Sequence, residues 1–204
     1  MLPKLTEYIR NLLPDINTID PERQEVLRTL SAFIREREGT PSRLTFICTH
    51  NSRRSHFGQI WGKVMAEYFG VSHVETFSGG TEATAFHPNA IEAAKSSGLE
   101  ITTSGPLNNP VYQVVFDKGK SPVAAFSKVF SDPVNPQIDF CAVMTCTDAD
   151  TNCPVIPGAA LRVTTPYEDP KRYDGTEFEK EMYAARCRQV AIEMGYVMKH
   201  VSPQ

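Results

Sequence analysis

Apolar positions change their period along this chain, and each change marks an element. After Asp20-Pro21-Glu22, a helix-start signature, Val26, Leu27, Leu30, Phe33 and Ile34 recur at helical spacing, so the first forty residues predict two helices. Leu44 to Cys48 is a short unbroken apolar run that fits a strand. Beyond a polar turn, Phe57, Ile60, Trp61, Val64, Met65 and Tyr68 form a helical stripe. Val74 to Phe77 predicts a second strand, and "HPNAIEAAKSSGLEI" a helix from about Pro88 that closes at Gly98. Residues 106 to 137 are irregular, except that "VYQVVF", "DKGK" and "PVAAFSKVF" suit a hairpin around a Gly-containing turn.

Phe140 to Cys146 is a continuous apolar run of the kind found in strands covered on both faces, and Ala160 to Thr164 offers another. From Thr176 onward, Tyr183, Cys187, Val190, Met194 and Val197 share one helical face, which predicts a C-terminal helix packed on the sheet. Strands alternating with helices predict an α/β fold around a parallel sheet.

Composition narrows the picture. With 204 residues and 41% hydrophobic content the chain can bury one substantial core. Lys plus Arg number 21 against 24 Asp plus Glu, a formal charge of -3, so no global basic field recruits nucleic acid or an anionic bilayer, and any anion site is local. "MLPKLTEYIRNLLPDINTID" mixes charges with apolar residues and does not read as a secretory signal, and no run reaches transmembrane length. Five cysteines in a chain this long do not look like a secreted disulfide framework, so the expected location is the reducing cytoplasm.

The strongest candidate chemistry lies at "CTHNSRRS", residues 48 to 55. A cysteine at the C-terminal end of a parallel strand, before a tight loop into a helix, stands where α/β proteins bind ligands. The amides of such a loop and the helix N-terminus form a nest for tetrahedral oxyanions and favour Cys48 as a thiolate. Arg54 adds a planar fork matched to two oxygens. Ser55 can donate its hydroxyl to the sulfur, and Asn51 can hold a left-handed backbone or tie the loop with its amide.

Cys48-Thr49-His50-Asn51-Ser52-Arg53-Arg54-Ser55 resembles the phosphate-binding loop of the low-molecular-weight protein tyrosine phosphatase superfamily, which includes the thioredoxin-coupled arsenate reductases. The resemblance implies a four-stranded parallel sheet with helices on both faces. It would span roughly residues 43 to 200, with residues 1–40 a helical extension, residues 41–204 the catalytic domain, and a hairpin inserted at about 106–137. Family loops usually carry Gly where His50 stands and often Cys where Arg53 stands. His50 either tunes the thiolate or is solvated, and Arg53 is either a ligand of the anion or a surface cation lending background charge.

The resemblance also implies a general acid, an Asp before Pro after the last strand. Asp169-Pro170 fits it better than Asp132-Pro133, which lies in the insertion. "CTDADTNC" is similar to the redox segment of the arsenate reductases. There the first cysteine, here Cys146, attacks the nucleophilic thiol, and the second, here Cys153, resolves the disulfide for reduction by thioredoxin. Two ordinary cysteines in a phosphatase are the alternative. In that case Cys48, Arg54 and Asp169 hydrolyse phosphate monoesters such as phosphotyrosine, with Tyr167, Tyr173 or Trp61 as candidate pocket walls. Cys141 and Cys187 fall on apolar faces and read as structural thiols. Neither route needs a bound metal or cofactor. The expected partners are a small oxyanion or phosphotyrosine, and thioredoxin.

Overall fold

The computed structural model describes residues 1–106, 108–152 and 155–202. Helices α1 (Pro3–Leu12) and α2 (Pro21–Arg35) are joined by a 3-10 turn over Leu13–Thr18, and Asp20 caps α2 by accepting from the Glu22 amide at 2.9 Å. There follow β1 (Ser42–Cys48), α3 (Arg54–Tyr68), β2 (Val74–Gly80) and α4 (Pro88–Ser96). The chain continues through β3 (Glu100–Ser104), β4 (Val111–Val115), β5 (Val123–Ala125) and β6 (Phe140–Met144). It ends with α5 (Thr147–Asn152), β7 (Ala159–Thr164) and α6 (Glu179–Lys199).

Four strands form one parallel sheet in the order β2-β1-β6-β7. Strand β1 is central, registered with β2 from Ser42↔Val74 to Cys48↔Gly80 and with β6 from Leu44↔Cys141 to Ile47↔Met144. Successive residues face opposite sides. Leu44, Phe46 and Val143 join a large cluster with Leu5, Leu30, Trp61 and Val190 from the helices. Ile47, Ala142 and Met144 join a smaller one with Cys146 and Ala149 at α5. The N-terminal helices thus share the core of the sheet: Leu5, Ile9, Leu27, Leu30 and Ile34 are fully buried.

The hairpin expected within residues 106 to 137 is present as β4 and β5, paired antiparallel from Tyr112↔Ala125 to Val114↔Val123, and the structure adds a third strand to it. Strand β3 joins β4 and β5 in a three-stranded antiparallel sheet of order β3-β4-β5. Its register runs Glu100↔Val115 to Ser104↔Val111, and its residues are largely exposed, so no alternating apolar pattern announces it. Gly98, at φ +98, closes α4 as expected; a Cβ there would lie 2.5 Å from the Leu5 amide nitrogen, so only glycine lets α1 approach.

Candidate functional site

Strand β1 delivers Cys48 to the C-terminal edge of the sheet, and residues 49–53 turn the chain into α3. The turn depends on Asn51, which is fully buried in the left-handed region at φ 44. Its Oδ1 accepts from the Lys128 amide at 2.9 Å; since a backbone N–H only donates, this fixes the orientation of the side-chain amide. Nδ2 therefore faces Ser55 and donates to its Oγ at 2.8 Å. The Ser55 hydroxyl hydrogen has no other acceptor among the described residues and is free to be donated to Cys48 Sγ, 3.1 Å away. The result is a directed chain from Lys128 through Asn51 and Ser55 to the sulfur.

The amides of His50, Asn51, Ser52 and Arg53 donate to no acceptor among the described residues. No side chain caps α3. Free amides and an uncapped helix N-terminus concentrate positive potential beside the thiol. Arg54 is 8% exposed; Nη1 donates to the Tyr167 carbonyl at 3.0 Å and Nη2 to Asp169 Oδ2 at 2.7 Å, while Nε is buried without a partner among the described residues. An orphaned guanidinium N–H is costly unless an anion takes it. The loop also needs Gly80 beside it, where a Cβ would lie 2.6 Å from the Thr49 carbonyl oxygen and 2.2 Å from that of Glu82.

Asp169 sits where the last strand leads into a short 3-10 turn that it caps, with Oδ1 accepting from the Lys171 amide at 3.0 Å. The two residues left open in the loop now have places. His50 is half-exposed and pairs through Nε2 with Glu82 Oε1 at 2.9 Å, on the solvent side of the loop. Arg53 is not a surface cation: it is 9% exposed, and Nε donates to Tyr183 Oη at 2.7 Å. Tyr183 in turn donates to Asp174 Oδ1 at 2.8 Å, and Arg53 Nη2 lies 3.5 Å from Asp174 Oδ2. Arg53 is a strut from the loop to α6 and to the segment carrying Asp169. Ser52 is buried, and its carbonyl accepts from the His87 amide at 2.9 Å.

Cys146 follows β6 and is fully buried in the same small cluster as Cys48. Its Sγ lies 3.5 Å from Thr49 Oγ1 and accepts from the Ala149 amide at 3.4 Å in the first turn of α5. The loop and this second thiol are in contact. Cys153, the expected resolving thiol, lies outside the described residues. Cys141 and Cys187 are buried, as expected of structural thiols; burial pushes the Cys187 thiol up to about 12, and Trp61 Nε1 donates to its sulfur at 3.2 Å. Trp61 and Tyr167 are core residues, at 0% and 4% exposure, so they are not walls of a substrate pocket. Tyr167 Oη donates to Glu193 at 2.8 Å instead.

The residues that support the loop from behind were not foreseen. His56 is fully buried, stacked on Phe86 at 4.1 Å with Nδ1 3.4 Å from Ser78 Oγ. Because Ser78 gives its own hydrogen to Gln59 Oε1 at 2.7 Å, it accepts from His56. Burial, helped by the nearby Lys128 charge, pulls the His56 pKa down to about 3, so the ring is neutral. No cluster of His, Cys, Asp or Glu among the described residues could hold a metal ion, and no helix there is long and apolar enough to cross a membrane.

No protein-family model matches the chain. It is 32% identical over 136 residues to arsenate reductase 2 of Staphylococcus epidermidis, covering 66% of this chain and 83% of that one. Against arsenate reductase of Bacillus subtilis it is 29% identical over 143 residues, covering 70% and 84%. Among solved structures, an arsenate reductase in the phosphate binding state superposes with TM-score 0.50 at 18% identity, over 79% of this chain and 99% of the other. A low-molecular-weight protein tyrosine phosphatase from Bacillus subtilis gives 0.50 at 15%, over 78% and 96%. The α/β fold around the parallel sheet is what these structures share with the chain, and at the level of sequence the chain belongs to the arsenate reductase family.

Proposed function

We propose that the protein reduces arsenate to arsenite, with Cys48 as nucleophile and Cys146 and Cys153 carrying two electrons out of the site. One observation carries the reading: Cys146 Sγ lies against Thr49 at 3.5 Å, in one buried cluster with Cys48. A purely hydrolytic site has no use for a second thiol there. The named activity of the relatives supports the same reaction.

Arsenate occupies the nest of free loop amides, with one oxygen on the unpartnered Arg54 Nε. The Cys48 thiolate attacks arsenic, and one As–O bond breaks as its oxygen leaves as water with a proton from Asp169. Cys146, as thiolate, then attacks Cys48 Sγ. The S–S bond forms, the S–As pair stays on arsenic, and As(V) departs as arsenite. Cys153 attacks Cys146, freeing the Cys48 thiolate, and the Cys146–Cys153 disulfide is reduced by the dithiol of thioredoxin in a reducing compartment, the cytoplasm. An unbroken helix would set residues seven apart about 10 Å from each other. Disulfide Cα atoms lie within about 7 Å. Helix α5 therefore unwinds during the relay.

The Asp169–Arg54 pair at 2.7 Å also supports phosphate monoester hydrolysis, which needs only Cys48, Arg54 and Asp169. The test measures arsenate-dependent NADPH consumption with thioredoxin and its reductase, beside aryl phosphate hydrolysis. Cys146→Ser and Cys153→Ser should each abolish steady arsenate turnover and spare any hydrolysis. Steady arsenate reduction by the double variant would overturn the proposal.

A further inference from the structure

Lys128 is a buried cation without a counter-ion among the described residues. The residue is 5% exposed, and its Nζ makes one hydrogen bond, to the Phe126 carbonyl at 3.3 Å, above the Phe126 ring at 4.3 Å. No carboxylate pairs with it among the described residues, and two of its three ammonium donors have no protein acceptor there. Burying an unpaired charge is unfavourable, because the hydration it loses is not replaced. Desolvation accordingly draws its pKa down to about 8, against a weaker opposing pull from Asp132.

The side chain lines a cavity of about 370 Å³ between the outer edge of β2 and strand β5, on the far side of the segment whose amide holds Asn51. Phe77, Pro122, Val123, Phe126 and Val134 give it apolar walls. The other charged lining residues are already paired: Lys63 with Glu67 at 2.8 Å, and Glu75 with Arg43 at 3.3 Å. Asn135 also lines it, 3% exposed, with Nδ2 shared among the carbonyls of Ser78, Val129 and Phe130 and with Oδ1 unpartnered. The volume is that of a small-molecule site.

We infer that this cavity binds a small monocarboxylate with a compact apolar or aromatic body, its carboxylate on Lys128 Nζ and its body between Phe77, Val123 and Phe126. A phosphate or arsenate ion does not suit the place. It would exchange a full hydration shell for one ammonium and apolar walls, whereas the loop at Cys48 offers several donors. The cavity is therefore separate from the anion nest in both chemistry and position.

Phenylacetate is the probe, 2-phenylethanol its uncharged counterpart and inorganic phosphate the competing anion. Titrations followed by calorimetry and by amide NMR on the intact wild-type chain should show saturable one-site binding of phenylacetate, with shifts centred on residues 123–128. Phosphate should move amides 49–55 without displacing phenylacetate. Lys128→Met should weaken phenylacetate at least tenfold without lowering the unfolding temperature, because it removes an uncompensated buried charge. If that variant does not fold, the wild-type NMR map and the phenylethanol comparison decide. Equal binding of phenylethanol, displacement by phosphate, undiminished affinity in Lys128→Met, or no saturable binding would each overturn the inference.

Discussion

Replacing Asn51 by Ala and by Gly separates the two tasks of this residue. Both changes remove the acceptor for the Lys128 amide and the donor to Ser55, at 2.9 Å and 2.8 Å. An amide left buried without a partner costs about 1–3 kcal/mol, and the lost neutral bond about 1 kcal/mol more. Alanine at φ 44 adds roughly 1 kcal/mol of left-handed strain that glycine avoids. Asn51→Ala should thus lose about 3–5 kcal/mol and Asn51→Gly about 1 kcal/mol less, both within reach of equilibrium urea unfolding at unchanged slope. The catalytic effect should be shared. A Ser55 hydroxyl freed from Asn51 loses its fixed aim at the sulfur, a charge-assisted contact of about 1.5–3 kcal/mol, so kcat should fall about 10- to 100-fold in both variants. An Asn51→Gly protein that turns over like wild type, while Ser55→Ala is slow, would show that something else orients Ser55. Equal stabilities of the two variants would refute the backbone argument.

Three further outcomes follow from the surroundings of the loop. The unfolded chain protonates His56 near pH 6.5 and the folded one only near 3, so the unfolded state binds more protons across that window. Stability should fall as pH drops from about 6.5, by up to about 1.4 kcal/mol per unit, and urea unfolding of His56→Gln at pH 7, 6 and 5 should lack this slope. Gly80→Ala would push a methyl group into backbone carbonyls at 2.2 and 2.6 Å, so a loss of about 3 kcal/mol or more is expected in thermal unfolding. Arg53→Met should cost about 1–3 kcal/mol. In a double-mutant cycle with Tyr183→Phe, the paired loss should be smaller than the sum, and strict additivity would deny the 2.7 Å contact any energetic role.

The main sheet was legible because its central strands, β1 and β6, are unbroken apolar runs between polar turns, and the helices that cover them keep a clean stripe. Strand β3 was not, since an exposed strand held by backbone pairing leaves no trace in hydrophobic spacing. The loop showed its chemistry through local letters: the roles considered for Asn51 and Ser55 match their contacts at 2.8 and 3.1 Å. The burial of Arg53 was not legible, for the opposite reason. Its partner Tyr183 stands 130 positions away, and nothing local marks a guanidinium that will be buried. Lys128 and Asn51 are separated by 77 positions and meet only because the chain after β5 runs beside Gly80. Trp61 as a pocket wall contradicted its own place in the α3 stripe, and the stripe prevailed.

Strands β1 and β6 are neighbours in register, and they present Cys48 and Cys146 at the same end of the sheet. In the proposed reaction the oxyanion cradle belongs to the connection between β1 and α3 and the relay thiols to the connection that follows β6, with no residue in common. In engineering terms the chain is modular. The stretch between β6 and β7 is a cassette that could be transplanted into a hydrolytic member of the fold, or excised from this one, without redrawing the cradle. On the proposed reaction, exchanging that one short connection would leave a site limited to hydrolysis.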